Sequence, residues 1–134
     1  MNVQRRDSLP IAADDDIVRA RQRVRDWAIS LGFSLVDQTK LVTAASELAR
    51  NTLIYGRGGT LTLEAVENNR KRGLRLTFED QGPGIPDVNL ALTDGFTTGS
   101  GLGLGLSGAR RLSQDFTITS SPGEGTRVII ARWN

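Results

Sequence analysis

The amino-acid sequence predicts an α/β fold in which helices cover one face of a mixed, mostly antiparallel sheet. Two long segments repeat apolar residues at steps of three and four, which is the period of a helical face. Two shorter segments alternate apolar and polar residues, as strands with one buried face do, and two segments near the C-terminus also favour strands. The 134 residues contain no internal repeat or linker-like tract, so we expect a single domain over residues 1–134.

The two long helices are expected over residues 14–31 and 37–55. The acidic residues at 14–16 suit the start of the first helix, and Gly32 suits its end. Asp37 is a suitable N-cap for the second helix, and Gly56 follows its last apolar position. Arginines at positions 19, 21, 23 and 25 border the apolar stripe of the first helix. Such a border is typical of a solvated helix edge, and docking of an acidic partner is the alternative.

The strands follow the second helix, and a short helix interrupts them. The polar run ENNRKRG separates the first two strands, which favours a hairpin. A third helix is predicted after a long glycine-rich loop, with Leu106 and Ala109 near one face. The strands are expected over residues 60–67, 74–80, 115–121 and 126–133, and the third helix over residues 103–114.

The composition excludes several kinds of chemistry. The chain has no cysteine and no histidine, which rules out disulfides, thiolate metal sites and a phosphohistidine on this chain. No apolar run approaches the ~18–20 residues of a membrane span, and the N-terminus lacks the apolar region of a signal peptide. We therefore expect a cytoplasmic protein without a membrane partner. The pI of about 9.7 is basic, but the charges are dispersed and aromatic residues are few. Nucleic acid is therefore not an expected partner.

The run GLGLGL at residues 101–106 places three glycines within five residues, just before the predicted third helix. Glycine in an ordinary helix or strand costs about 0.5–1 kcal/mol relative to alanine, so the run indicates a need for bare backbone. The chain lacks a Walker motif, and the run lacks the preceding strand of a dinucleotide-binding fold. Its amide groups lead into a helix N-terminus, which suits a phosphate group, so we interpret the run as a phosphate-binding lid. A flexible loop is the alternative.

The run EDQGPGI at residues 79–85 follows directly from a predicted strand. A carboxylate accepts hydrogen bonds only, so Asp80 would match an exocyclic amino group such as that of adenine. Gly82 and Gly84 would let a flat ring lie against the backbone. An ordinary turn at a strand end is the alternative interpretation.

Glu47 and Asn51 lie four residues apart on the second predicted helix, so they share a face at the edge of its apolar stripe. A solvated pair is one interpretation. The functional interpretation is that Asn51 offers a neutral oxygen to Mg²⁺, which prefers oxygen ligands. Glu47 would then orient or deprotonate an attacking hydroxyl group.

These three motifs, in this order, resemble those of the Bergerat-fold (GHKL) ATPases over residues 37 to about 127. The resemblance implies a two-layer α/β sandwich that holds ATP between helices and a glycine-rich lid. It implies that Asn51 binds Mg²⁺, that Asp80 binds the adenine amino group and that Thr126, in SPGEGT, lies beside adenine. It assigns the lid glycines to the phosphates. The expected catalytic residue is Glu47, and the expected ATP-binding residues are Asn51, Asp80, Gly82, Gly84, Ile85, Gly101, Leu102, Gly103, Leu104, Gly105, Leu106 and Thr126.

Within this superfamily, the sequence is similar to the stand-alone serine/threonine switch kinases of the stressosome. The runs ELARNTLIYGRGG, EDQGPGIPD and DGFTTGSGLGLGL carry that similarity. It implies phosphorylation of STAS-domain scaffold or antagonist proteins, release from them, and activation of a PP2C-type phosphatase that regulates a sigma factor. Two alternatives stay open. One is an anti-sigma factor kinase that sequesters a sigma subunit, and the other is a binding module that uses ATP only as a conformational ligand.

Overall fold

The computed structural model describes residues 1–85, 88–92 and 105–134. The elements, in chain order, are β1 (Asn2–Ile11), α1 (Asp14–Ser30), α2 (Leu35–Ile54), β2 (Gly59–Asn68), β3 (Lys71–Asp80), α3 (Val88–Ala91), α4 (Gly105–Arg111), β4 (Asp115–Ser120) and β5 (Thr126–Trp133).

The sheet has five strands in the order β1-β2-β3-β5-β4, and each neighbouring pair is antiparallel. This confirms the expected mostly antiparallel sheet, and the described strands include no parallel pair. The register places Asp80, at the end of β3, opposite Thr126, at the start of β5. The two predicted adenine-binding residues are therefore direct neighbours at one end of the sheet.

The core lies between the sheet and the two long helices. One alternating set of strand side chains joins α1 and α2 in a single buried cluster, which confirms the prediction of helices on one face. Each fully buried aliphatic or aromatic side chain contributes about 1.5–3 kcal/mol to folding. The strand residues of this cluster include Leu61, Leu63, Leu74, Leu76, Phe78, Val128 and Ile130.

The opposite face of the sheet carries an ion-pair network around Glu64. The Glu64 carboxylate accepts from Arg6 Nη2 at 2.6 Å and from Arg75 Nε at 2.9 Å. Burial disfavours the charged form of Glu64, but the hydrogen bonds and charges of Arg75 and Arg6 outweigh it and hold its pKa below the usual range. The network is therefore ionised at neutral pH. In the described part of the chain, no helix combines the length and apolar character that crossing a bilayer requires.

The structure differs from the predicted elements in several places. The N-terminal strand β1 was not predicted, because it is an edge strand in which only Leu9 and Ile11 are buried. The N-cap of α2 is Ser34, whose hydroxyl accepts from the Asp37 amide at 3.2 Å, so the prediction of Asp37 as the cap is wrong. Asp37 instead pairs with Arg132 of β5 at 3.0 Å.

The β2–β3 hairpin is tighter than predicted. Only Asn69 and Arg70 form the turn, and both have positive φ, as type I′ turns require. Most of the polar run expected to be a turn therefore belongs to the strands. The helix α4 ends at Arg111, three residues before the predicted end. The first two residues of that predicted helix, 103 and 104, lie outside the described residues.

Candidate functional site

The carboxylate of Asp80 is held in place at the end of β3. Its Oδ1 atom accepts from the Gly82 amide at 2.9 Å and from the Thr126 amide at 3.2 Å. Oδ2 makes no hydrogen bond to the described residues. The side chain is partly buried and lines an open cleft of about 650 Å³. The arrangement fixes the carboxylate and leaves one oxygen as an acceptor for a ligand donor.

Glycines bring several stretches of backbone together beside Asp80. A Cβ atom on Gly82 would lie 2.8 Å from the Gly56 Cα atom, and one on Gly84 would overlap the Ser121 carbonyl oxygen. Gly84 also has a φ of +77°, which disfavours any side chain. Packing of backbone against backbone therefore accounts for glycine at positions 82 and 84. Contact between a flat ring and this backbone stays a prediction.

Gly56 lies just after α2, and the Asp80 carboxylate occupies the space that a side chain at position 56 would fill. A Cβ atom on Gly56 would be 2.5 Å from Asp80 Oδ2 and 2.6 Å from Asp80 Cβ. Neither distance is compatible with the present position of the carboxylate. The end of α2 and the acceptor of β3 are thus in direct contact. Sequence reasoning assigned Gly56 only to helix termination and missed this role.

The variant Gly56→Ala should therefore weaken ATP binding without unfolding the chain. The added methyl group would displace the Asp80 carboxylate, and losing its charge-assisted hydrogen bond to a ligand should cost about tenfold in affinity. Titration with a fluorescent ATP analogue measures this. Asn68→Ala, an exposed substitution at the end of β2 remote from Asp80, is the control. Equal ATP affinity in folded Gly56→Ala and wild-type protein would contradict this prediction.

Thr126 and Ile85, both predicted to bind ATP, are joined through a third residue, Ser120 of β4. The Ser120 hydroxyl lies 2.8 Å from Thr126 Oγ1 and accepts from the Ile85 amide at 2.8 Å. It also donates to the Gly125 carbonyl at 3.0 Å. These contacts tie the segment after Asp80 to the β4–β5 hairpin. Sequence reasoning missed Ser120, although a polar residue there interrupts the core-facing alternation of Phe116 and Ile118.

Glu47 and Asn51 lie one turn apart on α2, as predicted, and both are partly buried. Their side chains make no hydrogen bond to the described residues. The main-chain carbonyl of Asn51 accepts from the main-chain amides of Tyr55 at 3.0 Å and of Gly56 at 3.1 Å, where the helix ends. Because Gly56 abuts Asp80, Asn51 lies on the last turn of α2 that leads to the carboxylate. Neither Glu47 nor Asn51 is among the described residues that line the cleft beside Asp80, so their approach to a bound ligand stays a prediction.

Binding of Mg²⁺ by Asn51 stays a prediction. Within residues 1–85, 88–92 and 105–134, no three acidic side chains gather into a metal-binding group. Mg²⁺ commonly takes one or two protein oxygens and completes its octahedron with phosphates and water. The amide oxygen of Asn51 fits that requirement as a single protein ligand.

The predicted phosphate-binding lid is only partly described. Gly101, Leu102, Gly103 and Leu104 lie outside the described residues. Gly105 begins α4 with a φ of +60°, a conformation that favours glycine. Leu106 is 9% exposed and joins the core, so its side chain packs inward. Binding of phosphates by this run stays a prediction.

Comparisons with known proteins agree with this architecture. Residues 36–133 match the family described as histidine kinase-, DNA gyrase B-, and HSP90-like ATPase. The chain is 47% identical to the serine/threonine-protein kinase RsbT of Bacillus subtilis over 123 residues, which cover 92% of each protein. It is 28% identical to an anti-sigma F factor of Thermoanaerobacter over 85% of this chain and 82% of that protein.

Solved structures show the same fold at lower identity. The RsbU and RsbW domains of Rv1364c from Mycobacterium tuberculosis match 94% of this chain with a TM-score of 0.63 at 20% identity. This chain spans 32% of that longer protein. A mycobacterial sensor histidine kinase, MprB, matches with a TM-score of 0.57 at 18% identity over 96% of this chain and 97% of that chain.

Proposed function

The chain belongs to the histidine kinase-, DNA gyrase B-, and HSP90-like ATPase family and, within it, to the family of the serine/threonine-protein kinase RsbT. From this premise we propose the reaction that it performs. It transfers the γ-phosphoryl group of Mg-ATP to a serine or threonine of another protein. The 47% identity over 92% of the chain supports the choice of a kinase.

The observation that best supports ATP as the substrate is the geometry of Asp80. Two backbone amides hold Oδ1, and Oδ2 remains as an acceptor. An acceptor fixed in this way matches the exocyclic amino group of adenine. Thr126, the cross-strand neighbour of Asp80, is the proposed second contact to the same ring edge.

The proposed transfer step uses Glu47 as the general base. The Glu47 carboxylate takes the proton from the attacking serine or threonine hydroxyl group. The hydroxyl oxygen bonds to the γ-phosphorus of ATP, and the bond between the γ-phosphorus and the bridging oxygen breaks, so that ADP leaves. Asn51 holds Mg²⁺, which neutralises charge on the phosphates. The chain contains no histidine, so the phosphoryl group passes directly to the partner rather than through a phosphohistidine.

The proposed substrates are STAS-domain scaffold or antagonist proteins in the cytoplasm. This assignment rests on the similarity to the stressosome switch kinases. A phosphate group adds about −1.5 to −2 charges at pH 7, and beside the Glu47 carboxylate it would repel the kinase. Phosphorylation would thus release the kinase, which then binds and activates a PP2C-type phosphatase in a sigma-factor cascade.

The second candidate is an anti-sigma factor kinase, which the 28% identity to an anti-sigma F factor favours. Co-purification distinguishes the two candidates. The tagged chain is mixed with a purified STAS-domain scaffold and, separately, with a purified sigma subunit, with and without Mg-ATP. The proposal predicts that the scaffold is retained without ATP and released after ATP is added. Retention of the sigma subunit but not of the scaffold would favour the anti-sigma function instead.

A further inference from the structure

The hydroxyl group of Ser120 has three hydrogen-bonding neighbours in the described structure. The Ile85 amide and Thr126 Oγ1 each lie 2.8 Å from Ser120 Oγ, and the Gly125 carbonyl oxygen lies 3.0 Å away. A serine hydroxyl offers one donor hydrogen and two acceptor lone pairs. Three neighbours therefore use its whole capacity.

The roles of two neighbours are fixed by their chemistry. The Ile85 amide can only donate, and the Gly125 carbonyl can only accept. The single hydrogen of Ser120 is therefore directed at Gly125. The contact between Ser120 and Thr126 must then use the hydrogen of Thr126, with Ser120 Oγ as its acceptor.

This assignment leaves Thr126 with acceptor lone pairs only. We propose that Ser120 is a positioning residue. It directs the hydrogen of the Thr126 hydroxyl away from the ligand, so that only the oxygen lone pairs face it, and thereby selects a 6-aminopurine nucleotide against a 6-oxopurine nucleotide. The inference rests on the proposed binding of ATP. Asp80 Oδ2 is a second acceptor, and the β3–β5 register places Asp80 directly opposite Thr126, with both side chains on one face of the sheet. The proposal is that these two acceptors meet the same edge of the ring.

The chemistry of the two purine classes explains the selection. The amino group at C6 of adenine carries donor hydrogens, which two acceptors can satisfy. Hypoxanthine and guanine carry a carbonyl oxygen at C6, which would meet the Asp80 and Thr126 oxygens without any hydrogen between them. Specificity of this kind depends on the unpaired polar atoms that the wrong ligand leaves behind.

The selection can be measured with ATP and inosine triphosphate, which differ only in the group at C6 and the associated hydrogen at N1. Both are titrated as competitors of a fluorescent ATP analogue. The wild-type protein should prefer ATP. In Ser120→Ala, the Thr126 hydroxyl is free to rotate and donate to the carbonyl oxygen, so the preference should shrink by about three- to tenfold.

The ratio of the two affinities is the informative quantity, because a general disturbance of the Ile85 segment would weaken both nucleotides alike. Ser121→Ala is the matched control, since Ser121 is the exposed next residue. Ser120→Thr keeps a hydroxyl group and should keep the preference. If Ser120→Ala does not fold, Ser120→Cys replaces it, because a thiol is nearly isosteric but a weak hydrogen-bonding group.

Thr126→Val tests the second half of the proposal. It removes the hydroxyl and keeps the branched shape, so it should reduce the preference, and adding Ser120→Ala should reduce it no further. An unchanged ratio in Ser120→Ala (or in its cysteine replacement) or in Thr126→Val would overturn the inference. Equal affinity of wild-type protein for both nucleotides would also overturn it but leave the kinase proposal standing, whereas no binding of ATP at all would contradict both.

Discussion

Glu47→Gln is expected to slow phosphoryl transfer by about 10²–10⁴-fold, the usual range for loss of a general base, while ATP affinity stays nearly unchanged. The amide keeps the size of the carboxylate but cannot take a proton from the attacking hydroxyl group. Single-turnover transfer and titration with a fluorescent ATP analogue measure the two effects separately. Glu67→Gln, on strand β2, is the matched control and should change neither.

The counterpart of this variant is Asn51→Ala, one turn along α2. It removes the proposed Mg²⁺ ligand, so nucleotide binding in the presence of Mg²⁺ should weaken. The two variants therefore separate a catalytic role from a binding role at neighbouring positions. An equal loss of binding in both would mean that Glu47 supports the structure of the site and is not the base.

Asp80→Asn is expected to lower ATP affinity about tenfold or more, because hydrogen bonds to a charged group are worth roughly 1.5–3 kcal/mol. The amide oxygen can still accept from the Gly82 and Thr126 amides, so the fold should survive. The amide nitrogen then occupies the position of Oδ2 and directs N–H groups at the amino group of the ring.

The control for Asp80→Asn is Asp115→Asn. Asp115 is an exposed aspartate whose carboxylate accepts a hydrogen bond from Nε1 of Trp133, in β5, at 2.8 Å. Isothermal titration calorimetry of both variants and of wild-type protein compares the affinities. Circular dichroism and thermal unfolding confirm that each variant is folded. Wild-type affinity in a folded Asp80→Asn protein would remove Asp80 from the adenine site.

The long helices and the four later strands could be predicted because each buries a regularly spaced set of apolar side chains. The strand β1 could not, since its exposed polar run leaves only Leu9 and Ile11 as a signal. Ser34, the cap of α2, was missed in favour of Asp37 because both residue types are good N-caps. Tertiary structure decided between them, since Asp37 pairs with Arg132 of β5.

In the candidate site, too, some features could be predicted from the sequence and others depend on tertiary contacts. Asp80 and Thr126 were predicted separately, and the β3–β5 register makes them neighbours. Sequence alone shows that Gly82 and Gly84 lack side chains but not which atoms fill the space. In the structure those atoms are backbone atoms of Gly56 and Ser121. The network of Ser120 was missed because it depends on a cross-strand contact with Thr126 and on the path of the chain at Ile85.

The most direct test of the kinase proposal follows the γ-phosphate itself. The purified chain is mixed with Mg-ATP labelled at the γ-phosphate and a STAS-domain scaffold protein, and the products are separated on denaturing and native gels. The proposal predicts acid-stable label on a serine or threonine of the scaffold, none on this chain, and dissociation of the complex as label accumulates. Acid-labile label, label on this chain, or ATP binding without any transfer to the scaffold would contradict it.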